Sequence, residues 1–227
     1  MNRLFAVAVL GALIACGEST ESSLAPNSAT PNDASITGAG TNGGVVYTGH
    51  GIAVDATIQG SNTKLCDTGM LPPTGGRIEN KVAGSSISGV LSASSLYCIT
   101  MSLDKKGITE GTVFGLNLTV GGNTILADKV HAMAGAFCPP NTAVPTSTGS
   151  AFVTNLRING KAVTVKASTP SQKFELPNGF VVFNEHSSFV TAFHAGRTVT
   201  GLRVVITKPE GAAEVILARA QTHIDCP

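Results

Sequence analysis

Apolar and polar residues alternate with a period of two along most of the chain after residue 44, the pattern of strands that bury one face. The clearest alternating run recurs three times, at residues 112–120, 151–158 and 198–206. No stretch of ten or more residues carries a convincing 3.6-residue apolar period, which an amphipathic helix would require. The pattern therefore predicts an all-β domain.

The three copies align on Leu116, Leu156 and Leu202, and the alignment predicts that these leucines are equivalent buried positions. The same alternation places Phe114 and Phe152 on the buried face beside them. Three polar residues should point outward, namely Asn117, Arg157 and Arg203. Each copy is thus expected to present one apolar and one polar face.

Each copy is followed by a turn sequence and a second predicted strand. Gly121-Gly122 and Asn159-Gly160 suit a type I′ hairpin turn, whose two central residues need positive φ. Other turns are predicted at residues 104–107, 177–179 and 208–211, and other strands at residues 50–58, 87–91, 98–103 and 161–165. Many short strands at this spacing predict an antiparallel β-sandwich or barrel-like domain built of repeated hairpins, with a short β-solenoid as the alternative.

The N-terminus departs from this pattern, because Leu4 to Ala15 is an unbroken apolar run behind Arg3. It is too short for a transmembrane helix, which needs roughly 20 residues, but it has the length of a secretory h-region. Its end, Leu13-Ile14-Ala15-Cys16, resembles the lipobox of bacterial lipoproteins, in which the cysteine is lipidated. Residues 1–15 are therefore expected to be a lipoprotein signal peptide and Cys16 the lipidation site. The alternative is an ordinary secretory signal with a stray cysteine.

Residues 16–44 have the composition of a flexible tether, rich in Ser, Thr, Asn, Ala, Pro and Gly. With Leu24 and Ile36 as its only large apolar residues, this segment cannot bury enough surface to offset the entropy of ordering. Gly17 rather than Asp follows Cys16, which by resemblance to Gram-negative lipoproteins favours the outer membrane. We therefore expect an exported protein, anchored by its lipid to the outer membrane or cell surface.

Residues 45–227 suit a single β domain by length. Once Arg3 and the three acidic residues of the tether are set aside, 14 basic and 11 acidic residues remain. The basic residues are scattered rather than clustered, which argues against a nucleic-acid partner. The chain also has no Trp and only two Tyr, so it lacks the aromatic platforms usual in sugar-binding modules.

Four cysteines remain in the exported part: Cys66, Cys98, Cys138 and Cys226. An even number in an oxidising compartment predicts two disulfides rather than free thiols. A metal site is disfavoured because the four are widely separated and form no C-x-x-C pair. Three pairings are possible. The working choice, Cys66 with Cys138 and Cys98 with Cys226, rests only on Cys66 and Cys138 both ending long strands before Pro-containing loops.

The order of these motifs resembles the choice-of-anchor P family of bacterial surface proteins. The resemblance is carried by Leu126-Ala127-Asp128, by residues 155–160 with their Asn-Gly turn, and by residues 181–185, an aliphatic strand ending in Asn-Glu. It covers most of residues 45–227, with His186 where the family usually has Gln. The resemblance implies a surface-displayed domain whose anchor varies between members, and it implies no reaction.

The most site-like cluster is Asn184-Glu185-His186, where a strand-end carboxylate stands beside an imidazole and could bind a ligand or act as a base. The alternative is that Asn184 and Glu185 hydrogen-bond the backbone at a strand exit, with His186 a solvated loop residue. Three further histidines lie near the ends of related strands, namely His131, His194 and His223.

The chain lacks a P-loop, an H-E-x-x-H helix and a G-x-S-x-G nucleophile elbow, so no cofactor and no metal is predicted. Two function classes remain. One is a non-enzymatic surface module, structural, adhesive or ligand-binding, with an unidentified extracellular or envelope ligand. The other is an extracytoplasmic hydrolase that uses Glu185 and a histidine. The hydrolase requires Glu185, His186 and a second His or Asp to converge in a cleft.

Overall fold

A computed structural model of the protein describes residues 44–72, 74–140, 144–207 and 212–227. The predicted signal peptide, Cys16 and all but the last residue of the predicted tether lie outside these residues, as does the predicted turn at 208–211. Within the part that is described, no helix is long and apolar enough to cross a membrane.

Most of the described residues lie in β-strands. In chain order these strands are β1 (Val46–Ile58), β2 (Ser61–Asp67), β3 (Gly76–Ile87), β4 (Leu91–Leu103), β5 (Lys106–Val120), β6 (Asn123–Phe137), β7 (Thr146–Thr154), β8 (Arg157–Ile158), β9 (Lys161–Ala162), β10 (Gln172–Leu176), β11 (Gly179–Val190), β12 (His194–Ile206) and β13 (Ala213–Asp225).

These strands build two antiparallel sheets. The first has the order β10-β11-β12-β13-β1-β2, and the second has the order β3-β4-β5-β6-β8-β9, with β7 also paired to β6. The sheets pack face to face, with β1 and β13 over β5 and with β12 over β6 and β7. The prediction of an all-β sandwich is therefore confirmed, and the sheets form neither a closed barrel nor a solenoid.

The aligned leucines lie in the core between the sheets, as predicted. Leu116 of β5 and Leu156, between β7 and β8, are each 3% exposed, and Leu202 of β12 is 0% exposed. All three belong to one continuous apolar cluster to which both sheets contribute. The recurrence in the sequence therefore marks strands that share one core.

Two of the predicted core positions are wrong, because a left-handed residue interrupts the alternation in the first and second copies. Gly115 and Asn155, directly before the aligned leucines, have φ of 58° and 52°. At Gly115 the inward residues are Val113 and Leu116, three positions apart rather than two. Phe114 is only partly buried and its ring lies 5.2 Å from the Lys129 ammonium.

Phe152 shows the same displacement in the second copy. Its neighbour Ala151 is the buried residue, at 2% exposure, while Phe152 is only partly buried. The Phe152 ring lies 4.9 Å from the Lys129 ammonium and 4.7 Å from the His131 ring. Both phenylalanines thus cover the outer face of the second sheet.

The hairpin turns follow the sequence signals closely. Gly121 and Gly122 have φ of 54° and 71°, and Asn159 and Gly160 have φ of 49° and 78°, which confirms two type I′ turns. Two predicted strands fail. Residues 87–91 form the turn between β3 and β4, because Ile87 pairs with Leu91, and the strand expected at 161–165 ends at Ala162.

Both disulfides join one sheet to the other. Cys66 of β2 bonds Cys98 of β4, and Cys138, just after β6, bonds Cys226, just after β13. Their Cα atoms lie 5.9 and 5.8 Å apart, within the usual range. The expectation of two bonds agrees with this arrangement, but the working pairing is wrong. Each cysteine pairs with the one that faces it across the sandwich.

Candidate functional site

Asn184 lies within β11, at a point where the strand turns sharply. Its φ is 53° and it is only 3% exposed. Its side-chain Nδ2 donates to the backbone carbonyl oxygens of Ala167 (2.9 Å) and Thr169 (3.0 Å). Its backbone carbonyl oxygen accepts from the Ser171 amide at 2.8 Å. Asn184 therefore fastens the loop before β10 to the sheet. This is the backbone-bonding role considered as the alternative from the sequence.

His186 is oriented by the same asparagine. Because the Asn184 Nδ2 donates to two carbonyls, its Oδ1 is left as an acceptor, and His186 Nε2 lies 2.5 Å from it. Nε2 must therefore carry the proton. Burial, together with the nearby positive charge of Arg197, lowers the pKa of His186 below its ordinary value. His186 is thus a neutral, partly buried ring rather than a solvated loop residue.

Glu185 is held by an arginine from the next strand. Arg203 of β12 donates from Nε and Nη2 to the two carboxylate oxygens of Glu185, at 2.9 and 2.7 Å, and from Nη1 to Glu214 of β13 at 3.4 Å. Burial lowers the pKa of Arg203, but the hydrogen bonds and charges of Glu185 and Glu214 outweigh it and raise the pKa. One guanidinium thus binds carboxylates on both sides.

Glu185 and His186 line one shallow depression of about 400 Å³ on the outer face of the first sheet. The other residues lining it are Ser171, Ser187, Thr198, Thr200, Arg203, Glu214 and Arg219. Among these described residues there is no second histidine and no aspartate. The arrangement that the hydrolase requires is therefore not brought together here. What is brought together is a network of ion pairs and hydrogen bonds across three strands.

His131 is a partly buried histidine whose ring is held by a neighbouring hydroxyl and a phenylalanine. Its Nδ1 lies 2.9 Å from Thr112 Oγ1, and Phe152 packs against its ring. Burial and the positive charge of Lys129 lower the pKa of His131 to about 4. The ring is therefore neutral at physiological pH and serves the packing of β5, β6 and β7.

A second cluster, formed by His194, His223 and Asp225, lies where β12 begins and β13 ends. The Asp225 Oδ1 is 2.6 Å from His194 Nδ1 and 2.6 Å from His223 Nε2. Burial raises the pKa of Asp225, but the hydrogen bonds and charges of the two histidines outweigh it and lower the pKa. The sequence singled out both histidines but not Asp225, although His223-x-Asp225 is the spacing that puts two side chains on one strand face.

The sequence matches no family model, and neither a curated protein nor a solved structure is found to be similar to it. The fold defines the class of protein, an antiparallel β-sandwich with two disulfides between its sheets.

Proposed function

We propose that the protein is a non-enzymatic, lipid-anchored module of the bacterial outer membrane or cell surface, with a structural, adhesive or ligand-binding role. The observation that carries the non-enzymatic part is the engagement of Glu185. Both of its carboxylate oxygens accept hydrogen bonds from Arg203, at 2.9 and 2.7 Å. A general base needs a carboxylate that reaches a substrate proton, and here the guanidinium occupies that position.

The rest of the cluster supports the same proposal. Asn184 and His186 bond to each other, and Asn184 also holds two carbonyls of a neighbouring loop. These contacts use the polar atoms for structure, which is how a rigid display scaffold would use them. A hydrolase that depends on Glu185 remains the competing hypothesis, and it makes a different prediction for the same substitution.

Export and anchoring are proposed from the sequence, with support from the cysteines. The lipobox-like end of the apolar run supplies Cys16, and the resemblance to the choice-of-anchor P family fits a domain displayed on a surface. The two pairs of cysteines lie at disulfide distance. Such bonds persist in oxidising compartments outside the cytosol.

Replacement of the proposed lipidation site tests the anchor. Cys16→Ser should move the protein from the membrane fraction to the soluble fraction, because the acyl chains contribute about 0.8 kcal/mol per buried methylene. Gly17→Asp is the matched control, since it keeps the cysteine and should keep membrane association. Fractionation in detergent, with mass spectrometry of the N-terminal peptide, measures both. A Cys16→Ser protein that partitions like wild type would refute the anchor.

Replacement of Glu185 separates the scaffold from the hydrolase. Glu185→Gln removes the charge that binds Arg203 and should lower stability by up to about 1 kcal/mol, the range of partly exposed ion pairs. Glu175→Gln is the matched control, because Glu175 is 71% exposed in its ion pair with Lys173. Thermal melting and hydrolysis of a broad substrate panel are measured on the same preparations. A wild-type activity that Glu185→Gln abolishes without a change in melting temperature would overturn the proposal.

A further inference from the structure

The cluster at the junction of β12 and β13 has the layout of a metal site. His194 is directly opposite Asp225 across the two strands, and Gly196 is opposite His223. His223 and Asp225 are two residues apart, so they lie on one face of β13 with His194 beside them. Three side chains of ligand type are therefore presented together by the backbone register itself.

The distances between the ligand atoms suit one small cation. One ligand atom from each residue can be chosen so that all three lie within 4.8 Å of one another. A tetrahedral zinc ion with bonds of about 2.0–2.2 Å keeps its ligand atoms roughly 3.3 Å apart. The two histidine nitrogens now lie 2.6 Å from Asp225 Oδ1. Binding would require each nitrogen to move away from Asp225 Oδ1 by less than about 1 Å, and ligand atoms within 4.8 Å of one another to approach by at most about 1.5 Å, both small movements for partly exposed side chains.

The side chains are positioned by neighbouring groups. Cys226, the residue after Asp225, is tied to Cys138 by a disulfide, and its amide donates to the Phe193 carbonyl at 2.8 Å. His194 ends a turn in which its amide donates to Thr191 Oγ1 at 3.1 Å. The Phe189 ring packs 5.5 Å from the His223 ring. Such support around the ligands lowers the cost of organising a metal site.

We infer that His194, His223 and Asp225 bind one divalent transition-metal ion of the Zn²⁺, Ni²⁺ or Cu²⁺ type. Two imidazoles and one carboxylate are the donor set that these ions prefer, whereas Ca²⁺ and Mg²⁺ prefer oxygen ligands. Each imidazole would bind the ion through the nitrogen that now faces Asp225 Oδ1 and would carry its proton on the other ring nitrogen. The side chains are 50%, 35% and 37% exposed, so the remaining coordination position faces solvent.

The test uses the full chain, purified in detergent and stripped with a chelator, with ZnCl₂ as the probe. Isothermal titration should show saturation at a single equivalent of Zn²⁺, and Zn²⁺ should raise the melting temperature because it binds the folded state. Excess Mg²⁺ should not compete. His194→Ala, His223→Ala and Asp225→Asn should each weaken binding at least about tenfold, since loss of even outer-sphere partners costs about 10- to 100-fold.

The matched control is His50→Ala. His50 Nε2 lies 2.5 Å from Asp67 Oδ1, a histidine–carboxylate pair without a second histidine among its described contacts, so its loss should leave Zn²⁺ binding unchanged. If a variant fails to fold, a labelling experiment on the wild-type protein still tests the proposal. Zn²⁺ should protect His194 and His223, but not His50, from diethylpyrocarbonate, as mapped by mass spectrometry. Absence of saturable binding, absence of this protection, or wild-type affinity in the three folded variants would overturn the proposal.

Discussion

Replacing Cys138 and Cys226 together by alanine is expected to lower the free energy of unfolding by about 4.6 kcal/mol. The bond joins residues 88 positions apart, so in the chain-entropy account it removes a large number of conformations from the unfolded chain. Urea unfolding of the double variant measures the loss. Because domains are typically stable by only about 5–15 kcal/mol, this loss is about a third or more of the total, and the unfolding midpoint should move to a much lower urea concentration.

The second disulfide supplies the internal comparison. Cys66 and Cys98 are 32 positions apart, and the same account gives about 3.7 kcal/mol for their replacement by alanine. Peptide mapping of the unreduced protein should recover the Cys66–Cys98 and Cys138–Cys226 linkages. Four free thiols, a Cys66–Cys138 linkage, or a Cys138/Cys226 variant as stable as wild type would each contradict this description.

The pairing shows where the sequence stops being informative. The number of cysteines and the signal of export predict two bonds, but the pairing depends on which strands face each other across the sandwich. β2 lies at the edge of the first sheet, next to β3 and β4 of the second. The sequence places Cys66 at the end of a long strand but does not show β2 as a strand of its own, because its seven residues include five exposed or half-buried polar ones and show little alternation. Without β2 in place, the partner of Cys66 could not be inferred.

The repeated strands were recognised because alternation is a local property. The error at Phe114 and Phe152 came from assuming that the alternation is unbroken, whereas Gly115 and Asn155 adopt positive φ. Glycine and asparagine are the residue types that adopt this conformation most readily, so the signal was present in the alignment of the copies. The sequence alone does not say whether such a residue lies within a strand, as Gly115 does in β5, or between two strands, as Asn155 does between β7 and β8.

The two candidate sites also differ in how far apart their residues lie in the sequence. Asn184, Glu185 and His186 are consecutive, so their proximity was visible in the sequence, but the Arg203 that binds Glu185 is 18 positions away. His194 and Asp225 are 31 positions apart and meet only through the β12–β13 register. Sequence reasoning therefore found the residues that are neighbours in the chain and missed those that are neighbours in the sheet.

Leu202→Ala is expected to lower the free energy of unfolding by about 2–5 kcal/mol, the range for a large-to-small change in a core. Leu202 is opposite Phe183 on β11 and Leu217 on β13, and these side chains are 2% and 0% exposed. These three side chains are held in place by hydrogen-bonded strands and are covered by the second sheet. The cavity left by the missing atoms therefore cannot easily collapse, which places the cost toward the upper part of the range.

Leu103→Ala is the matched control, the same substitution at a leucine that is 70% exposed at the end of β4. It should change stability by no more than about 0.5 kcal/mol. Leu116→Ala and Leu156→Ala should behave like Leu202→Ala, because the three leucines occupy one core. Urea unfolding of the four variants provides the comparison. A Leu202→Ala protein as stable as Leu103→Ala would mean that the recurring strands do not share a core, and the sandwich described above would have to be abandoned.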